Sequence, residues 1–410
     1  MRLRVRQNLP ASAAAAIGIL AVGWLGLTDW LWTDYDNEAR PAIDALLQGH
    51  VLRFAQLAPS YGGSLVLRAP FLFVPKLWGG GELAVYRAAA APCLLASAVL
   101  GVWLVSQMRA GGATRIARGA ALMLCVANPM TLSTLESGHP EELLGGVLCI
   151  AAVLVAMRGR ALWAGVLLGL AVANQEWALV AIGPVLLALP RARVRAVLAA
   201  GTTAALILVP LAVGGRFLGQ VSAAARPGGS SIFTPWQLWW FVGPHRHVPP
   251  AGQPWNTRFD PAWLTQLAHP LIVIVAALLS LGCLWLRRRV AARPAYEPLL
   301  LLALVLLVRC ALDPWDNWYY PLPYLLAILA WEVLGAERPP AASLVASFGG
   351  WFVFQWAVPA RGFSPDAQSV LFLTWALPAL AAMGVALYAP RLARRLRGGA
   401  TRSPAVPATA

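Results

Sequence analysis

Charge is what this chain has least of. Only 12% of its 410 residues are Asp, Glu, Lys or Arg, while 59% are hydrophobic. Soluble domains carry about 25% charged residues, so the shortage excludes a soluble domain tethered by one anchor. Lysine is almost missing, with Lys76 the sole example, which points to a GC-rich coding sequence. The five cysteines (Cys93, Cys125, Cys149, Cys283 and Cys310) all fall inside apolar runs without zinc or disulfide spacing. They read as small buried apolar residues. No Walker A motif, no GxGxxG after a strand, no GxSxG and no Cys/His metal set occurs. ATP-driven transport, hydrolase chemistry, a metal site and a bound cofactor therefore have no support.

What is present is a succession of apolar runs, many of the ~20-residue order that a helix needs to cross a bilayer. The expected fold is all-α and polytopic, with about twelve transmembrane or partly inserted helices. Residues 11–27 follow RLRVR and imitate a signal peptide. No secreted domain follows, so an uncleaved first span is expected. The net charge of +15 does not indicate nucleic acid. Its arginines gather between apolar runs, at 2–6, 109–118, 158–160, 191–195, 287–293, 338 and 391–402. That is the positive-inside pattern, and it places both termini in the cytoplasm. The acids do the opposite. Only Glu297, Glu332 and Glu337 fall on the cytoplasmic side, and acids contribute little to topology, so their outward concentration needs another cause.

The chain reads as one domain over 1–390, with outer loops at 28–82, 214–268, 313–320 and 359–367. The tail 391–410, basic and then Pro/Ala-rich, is expected to be disordered. SLVLRAPFLFVPKLW (64–78) is apolar but carries Arg68, Lys76 and two prolines, which predicts an interfacial or re-entrant segment. Residues 161–189 must go out and back in a length too short for two full spans. Their turn, with Asn174, Gln175 and Glu176, is expected at membrane depth beneath an outward-facing cleft.

Four outer stretches could carry chemistry. WTDYDNEARP (32–41) packs Asp34, Asp36, Glu38 and Arg40 beyond the first span. PAIDALLQGHVLRFAQL follows and reads as an amphipathic surface helix, with Ile43, Leu46 and Leu47 on one face. Such a helix would hold the acids at the mouth of a cleft, where a carboxylate can take a proton from a hydroxyl nucleophile. ESGHPEELL (136–144) offers His139 and Glu141. Pro140 with Glu141 and Glu142 also suits a plain helix N-terminus. DPWDNWYYP (313–321) sets Asp313, Asp316 and Asn317 among aromatics. Trp and Tyr are ordinary interface residues, but the aspartates exceed that role, and the pair suits sugars. The loop 214–268 supplies His245, Arg246, His247, Trp255 and Arg258. An arginine in a cleft, such as Arg68 or Arg258, can hold a phosphate by paired hydrogen bonds.

YDNEARPAIDALLQGH resembles the acidic first-loop motif and surface helix of the GT-C membrane glycosyltransferases. There the acidic pair is Asp-Glu; here Asn37 separates Asp36 from Glu38. Residues 137–193 resemble glycosyltransferase family 87, the polyprenyl-phosphomannose-dependent mannosyltransferases, with a Gly-led turn, a GxxLGLA run and a short helix return in the same order. Relatives often carry lysine near the position of Gln175. The resemblance implies a multi-pass enzyme of the cytoplasmic membrane with its active site facing outward. It would move a sugar, mannose for preference, from a polyprenyl-phosphate donor to an envelope lipid or glycan acceptor, with inversion. Asp36, or Asp34, would be the base. Arg40, Arg68, His139, Glu141, Gln175, Glu176, Arg258, Asp313, Asp316 and Asn317 would line the donor phosphate or sugar site. The alternative reading is a lipid or sugar transporter or flippase, for which Glu176 is the residue of interest.

Overall fold

The computed structural model describes residues 2–25, 34–215, 219, 232–247, 256–289, 296–335, 339–357 and 362–389. The tail 391–410 and, from the long loop, Trp255 lie outside the described residues. The described residues are helical, and their one β-bridge pairs His245 with Arg258.

The first helix, α1, covers Arg2–Leu25. After a π-helical turn at Tyr35–Ala39, α2 (Arg40–Leu47), α3 (Val51–Leu57) and α4 (Gly62–Leu72) are short. Next come α5 (Glu82–Ala110), α6 (Arg115–Val126), α7 (Pro129–Glu136), α8 (Glu141–Met157) and α9 (Ala161–Asn174). A 3-10 turn at Glu176–Ala181 leads into α10 (Ile182–Ala188), then α11 (Arg193–Gly214). The rest are α12 (Ala262–Arg287), α13 (Glu297–Leu312), α14 (Leu322–Gly335), α15 (Ala341–Trp351) and α16 (Pro365–Tyr388).

Among the described residues, five helical segments are long and apolar enough to cross a membrane: Glu82–Ala110, Arg115–Glu136, Arg193–Gly214, Gln266–Arg287 and Pro365–Tyr388. The protein is therefore a helical membrane protein. Shorter apolar helices at Leu9–Leu25, Ala161–Asn174, Glu176–Ala188 and Leu322–Gly335 accompany them. Large apolar side chains stay exposed on α1 (Ile17, Leu20), α11 (Leu198, Leu206) and α12 (Ile274, Leu278), the surface that lipid would cover. The centre is α13, every residue of which is buried. A helix apolar on all sides belongs inside a larger bundle, and α8, α12, α14 and α16 pack round it.

Of three local features, one departs from the sequence reading; the other two, a stretch too short for a span and a broken segment, follow it. The expected surface helix over 41–57 is two helices, because Gly49 adopts φ +82° between them, a region open mainly to glycine. The 64–78 stretch forms the 11-residue α4 and a 3-10 turn at Val74–Trp78, too short for a span. The 161–189 segment breaks at Gln175, whose backbone is extended (φ −154°, ψ 129°). Asn174 and Gln175 at that break are buried, while Glu176 is exposed.

Helix α9 lies against α11 through the small residues Gly165 and Gly169. A Cβ at either would collide with a carbonyl of α11, that of Ala196 or Ala200. Close backbone approach through small residues four apart is a membrane-helix packing device. Gly169→Val should therefore force α9 and α11 apart and sharply reduce the monodisperse fraction on size-exclusion chromatography in detergent. Unchanged elution would count against this packing.

Candidate functional site

The short helices α2 to α4 and the turn before α8 bring distant acids and bases together. The turn 137–140 lies directly on the first loop. Gly138 has φ +88°, and a Cβ there would stand 2.7 Å from the Tyr35 amide nitrogen. This contact sets His139 beside Asp34, 105 positions away in sequence. His139 Nε2 lies 3.0 Å from Asp34 Oδ2, and Nδ1 lies 2.7 Å from Glu141 Oε1. Glu141 Oε2 in turn accepts from Arg68 Nη2 at 3.1 Å. The result is a continuous line, Asp34–His139–Glu141–Arg68. Its inner end is sealed, with Glu141 at 0% and Arg68 at 3% exposure. Its outer end is open, with the Asp34 side chain at 39%.

Neighbours fix the line in place. The Ser64 hydroxyl donates to Asn174 Oδ1 at 2.8 Å, and Asn174 Nδ2 donates to the Glu141 carbonyl at 2.9 Å. Arg68 Nε reaches the Ser64 carbonyl at 3.3 Å. The His139 ring stacks on Tyr319 (centroids 4.4 Å apart) and meets the edge of Tyr61 at 5.5 Å. The Tyr61 hydroxyl donates to Glu38 Oε2 at 2.9 Å.

Burial disfavours a charged imidazole, but the hydrogen bonds to Asp34 and Glu141 outweigh it and lift the His139 pKa to about 10. At neutral pH His139 is thus an imidazolium donating from both ring nitrogens. Its folded pKa lies above the unfolded 6.5. The stabilisation is therefore complete below pH 6.5 and is lost as pH rises through about 10. Between pH 7 and pH 10 the thermal midpoint of the wild type should fall more than that of His139→Gln. Parallel falls in the two proteins would show that His139 carries no such charge.

A second buried network starts one residue further on. Glu142 receives both arms of the Arg309 guanidinium, at 3.1 and 3.2 Å, and the Trp177 indole N–H at 3.0 Å. Arg309 also lies over the rings of Trp177 (4.6 Å) and Tyr320 (4.0 Å). Nearby, Asp313 Oδ1 accepts from the Trp315 amide at 2.9 Å and faces His269 Nε2 at 3.5 Å. Burial would raise the Asp313 carboxyl, but His269 and Arg309 hold it below the usual range. Asp316 is pushed well up by burial, with Asp313 adding to the effect.

Glu141 and Glu142 do stand in the first turn of α8 behind Pro140, as the helix-start reading expected, but they do more than that. Neither side chain caps α8; both turn inward because a buried guanidinium waits for each. Asp36 stands apart from the relay, in an ion pair with Arg40 at 3.1 Å, and Arg40 also contacts Asp44 and Glu82. Arg258 grips Asp366 with two nitrogens (3.1 and 3.2 Å) and donates to the Gly243 carbonyl, while Trp240 Nε1 donates to the same carboxylate. That set fastens Trp240, Gly243 and Arg258 to the start of α16. Asn317 accepts from the Trp318 amide at 2.9 Å. Of the three candidate phosphate-binding arginines, Arg40 has the most accessible side chain, at 35% against 3% for Arg68 and 10% for Arg258.

Sequence reasoning passed over Arg309 and His269. The signal for Arg309 was available: it is the only one of Asp, Glu, Lys, Arg or His within the apolar stretch 298–312, and such a residue calls for a partner. Among the described residues, no group of three His, Cys, Asp or Glu side chains could hold a metal ion. Comparison with models of known protein families gives no match, and comparison with curated proteins gives none either.

Proposed function

We propose that this protein is an integral membrane glycosyltransferase with a GT-C-like arrangement of about twelve spans and both termini in the cytoplasm. It transfers a sugar, mannose as the first choice, from a polyprenyl-phosphate donor to a lipid or glycan acceptor at the outer face of the cytoplasmic membrane. The observation that carries this reading is the Asp34–His139–Glu141–Arg68 line, buried at one end and open at Asp34. Asp34 is the base of choice over Asp36, whose carboxylate is engaged by Arg40. The acceptor hydroxyl gives its proton to the Asp34 carboxylate as its oxygen bonds to the anomeric carbon. The bond from that carbon to the phosphate oxygen breaks, and polyprenyl phosphate leaves with the electron pair. A single displacement inverts the anomeric centre. The His139 imidazolium holds Asp34 in place.

The test is purified protein with radiolabelled polyprenyl-phosphomannose and an envelope-lipid extract. Labelled acceptor together with released polyprenyl phosphate is the expected result. No product from this donor or from other polyprenyl-phosphate sugars would refute the reading. One observation favours transport as a second reading: the buried Glu142–Arg309 pair beside Asp313 and His269 places ionisable groups inside the bundle. Movement of labelled donor across vesicles without product would support it.

A further inference from the structure

The turn 313–318 holds polar atoms that neither network uses. Asp316 is fully buried, at 0% exposure, and neither of its carboxylate oxygens has a hydrogen-bond partner among the described residues. Among the described residues the indole N–H of Trp315 is also buried without a partner, and so is that of Trp236. Trp236 reaches this turn through Trp318, 6.4 Å between ring centroids. The backbone ties the two segments together: the Thr234 amide donates to the Pro314 carbonyl at 3.1 Å, and the Leu238 amide to the Ala311 carbonyl at 2.8 Å. Two acceptors and two donors withheld from water thus gather around one turn. Leaving buried polar atoms unmet is costly, and each such group calls for an explanation. The contrast lies within the same protein, where Glu141 and Glu142 are fully paired.

The chemistry of these atoms narrows what could complete them. Indole N–H groups donate only, so they cannot ligate a cation. Two aspartates disfavour an anion. A neutral ligand bearing hydroxyls both donates and accepts, and the tryptophan faces suit the C–H face of a sugar ring. Trp318 (39% exposed) and half-buried His269, edge-on to Trp315 at 5.9 Å, are the more accessible groups beside this turn. The next residue, Tyr319, stacks on His139, so the turn adjoins the Asp34 line.

We propose that the 313–318 turn and Trp236 form a subsite for an uncharged saccharide ring of the acceptor. Asp316 accepts hydrogen bonds from its hydroxyls, Trp315 and Trp236 donate to them, and Trp318 covers its face. The acceptor is then a glycan rather than a bare lipid headgroup. This deepens the glycosyl-transfer reading and rests on it, but binding can be read without turnover.

The experiment is saturation-transfer-difference NMR on the full chain in lipid nanodiscs, with no glycoside detergent. The probes are the methyl glycosides of mannose, glucose, galactose and arabinose. At least one should bind the wild type and also bind Asp34→Asn, in which transfer is silenced. Asp316→Leu should weaken that binding by at least about tenfold while raising thermal stability, because an unmet buried carboxyl is removed. Trp318→Ala alters an exposed residue, so it should weaken binding with the fold retained, and it keeps the test decisive if Asp316→Leu does not fold. Binding by none of the four glycosides, or binding unchanged in Trp318→Ala and in folded Asp316→Leu, overturns the proposal. Saccharide binding without any transfer activity would refute the transferase reading and leave this subsite standing.

Discussion

Asp34→Asn should slow sugar transfer by about 10²- to 10⁴-fold, the usual contribution of a general base, while Asp36→Asn should keep it within a few-fold. The reason is the different company of the two carboxylates. Asp34 is held by His139, whose far nitrogen is held by Glu141, whose far oxygen is held by Arg68. The position of its oxygen is therefore set by a chain of buried groups, as a base needs. Asparagine keeps the shape and can still meet His139, but it cannot take a proton. Asp36 instead pairs with Arg40 four residues on, both partly exposed; such surface pairs contribute about 0–1 kcal/mol. Initial rates of label transfer, at matched amounts of monodisperse protein, check both. Equal losses in the two variants would mean that the first loop acts as a unit.

Arg309→Met should destabilise the fold by about 3–5 kcal/mol, the range for removing one partner of a buried ion pair. Arg309 and Glu142 are 5% and 3% exposed at their side chains, so no solvent screens the loss. Arg309→Met strands a carboxylate beneath Tyr320 and Trp177. Adding Glu142→Gln removes that stranded charge, and Gln can keep accepting from the Trp177 indole. The double variant should thus recover most of the stability, since a buried pair as a whole is worth far less than either member alone. Thermal unfolding in detergent of both single variants and the double variant is the check. Additive losses would argue that Arg309 acts through its contacts with Trp177 and Tyr320, not through Glu142.

Elements that depend on local composition were legible in the sequence. The apolar runs announced a helical membrane protein, and the 29 residues from 161 to 189 could hold only a broken segment, which the structure breaks at Gln175. The short, proline-bearing 64–78 stretch likewise fell short of a span. The candidate site was legible only as scattered parts. Asp34, His139, Glu141 and Arg68 could each be named, but Asp34 and His139 are 105 positions apart and Arg68 and Glu141 are 73 apart. No periodicity relates residues so far apart; packing does. The same limit hid the Glu142–Arg309 pair, 167 positions apart. An acid in a helix's first turn suits that position by itself, so nothing local revealed that Glu142 turns inward to an arginine. Arg40 shows the converse: its i, i+4 partners Asp36 and Asp44 were visible in the sequence, yet this pairing separates Asp36 from the relay.

The most direct measurement places radiolabelled polyprenyl-phosphate sugar and acceptor extract on the outer face of vesicles containing the oriented protein. Wild type and Asp34→Asn are compared for labelled acceptor and for label inside. The expected result is labelled acceptor with an inverted anomeric centre from the wild type and almost none from Asp34→Asn. Equal product from both, or label recovered inside with no labelled acceptor, would contradict a transferase whose base is Asp34.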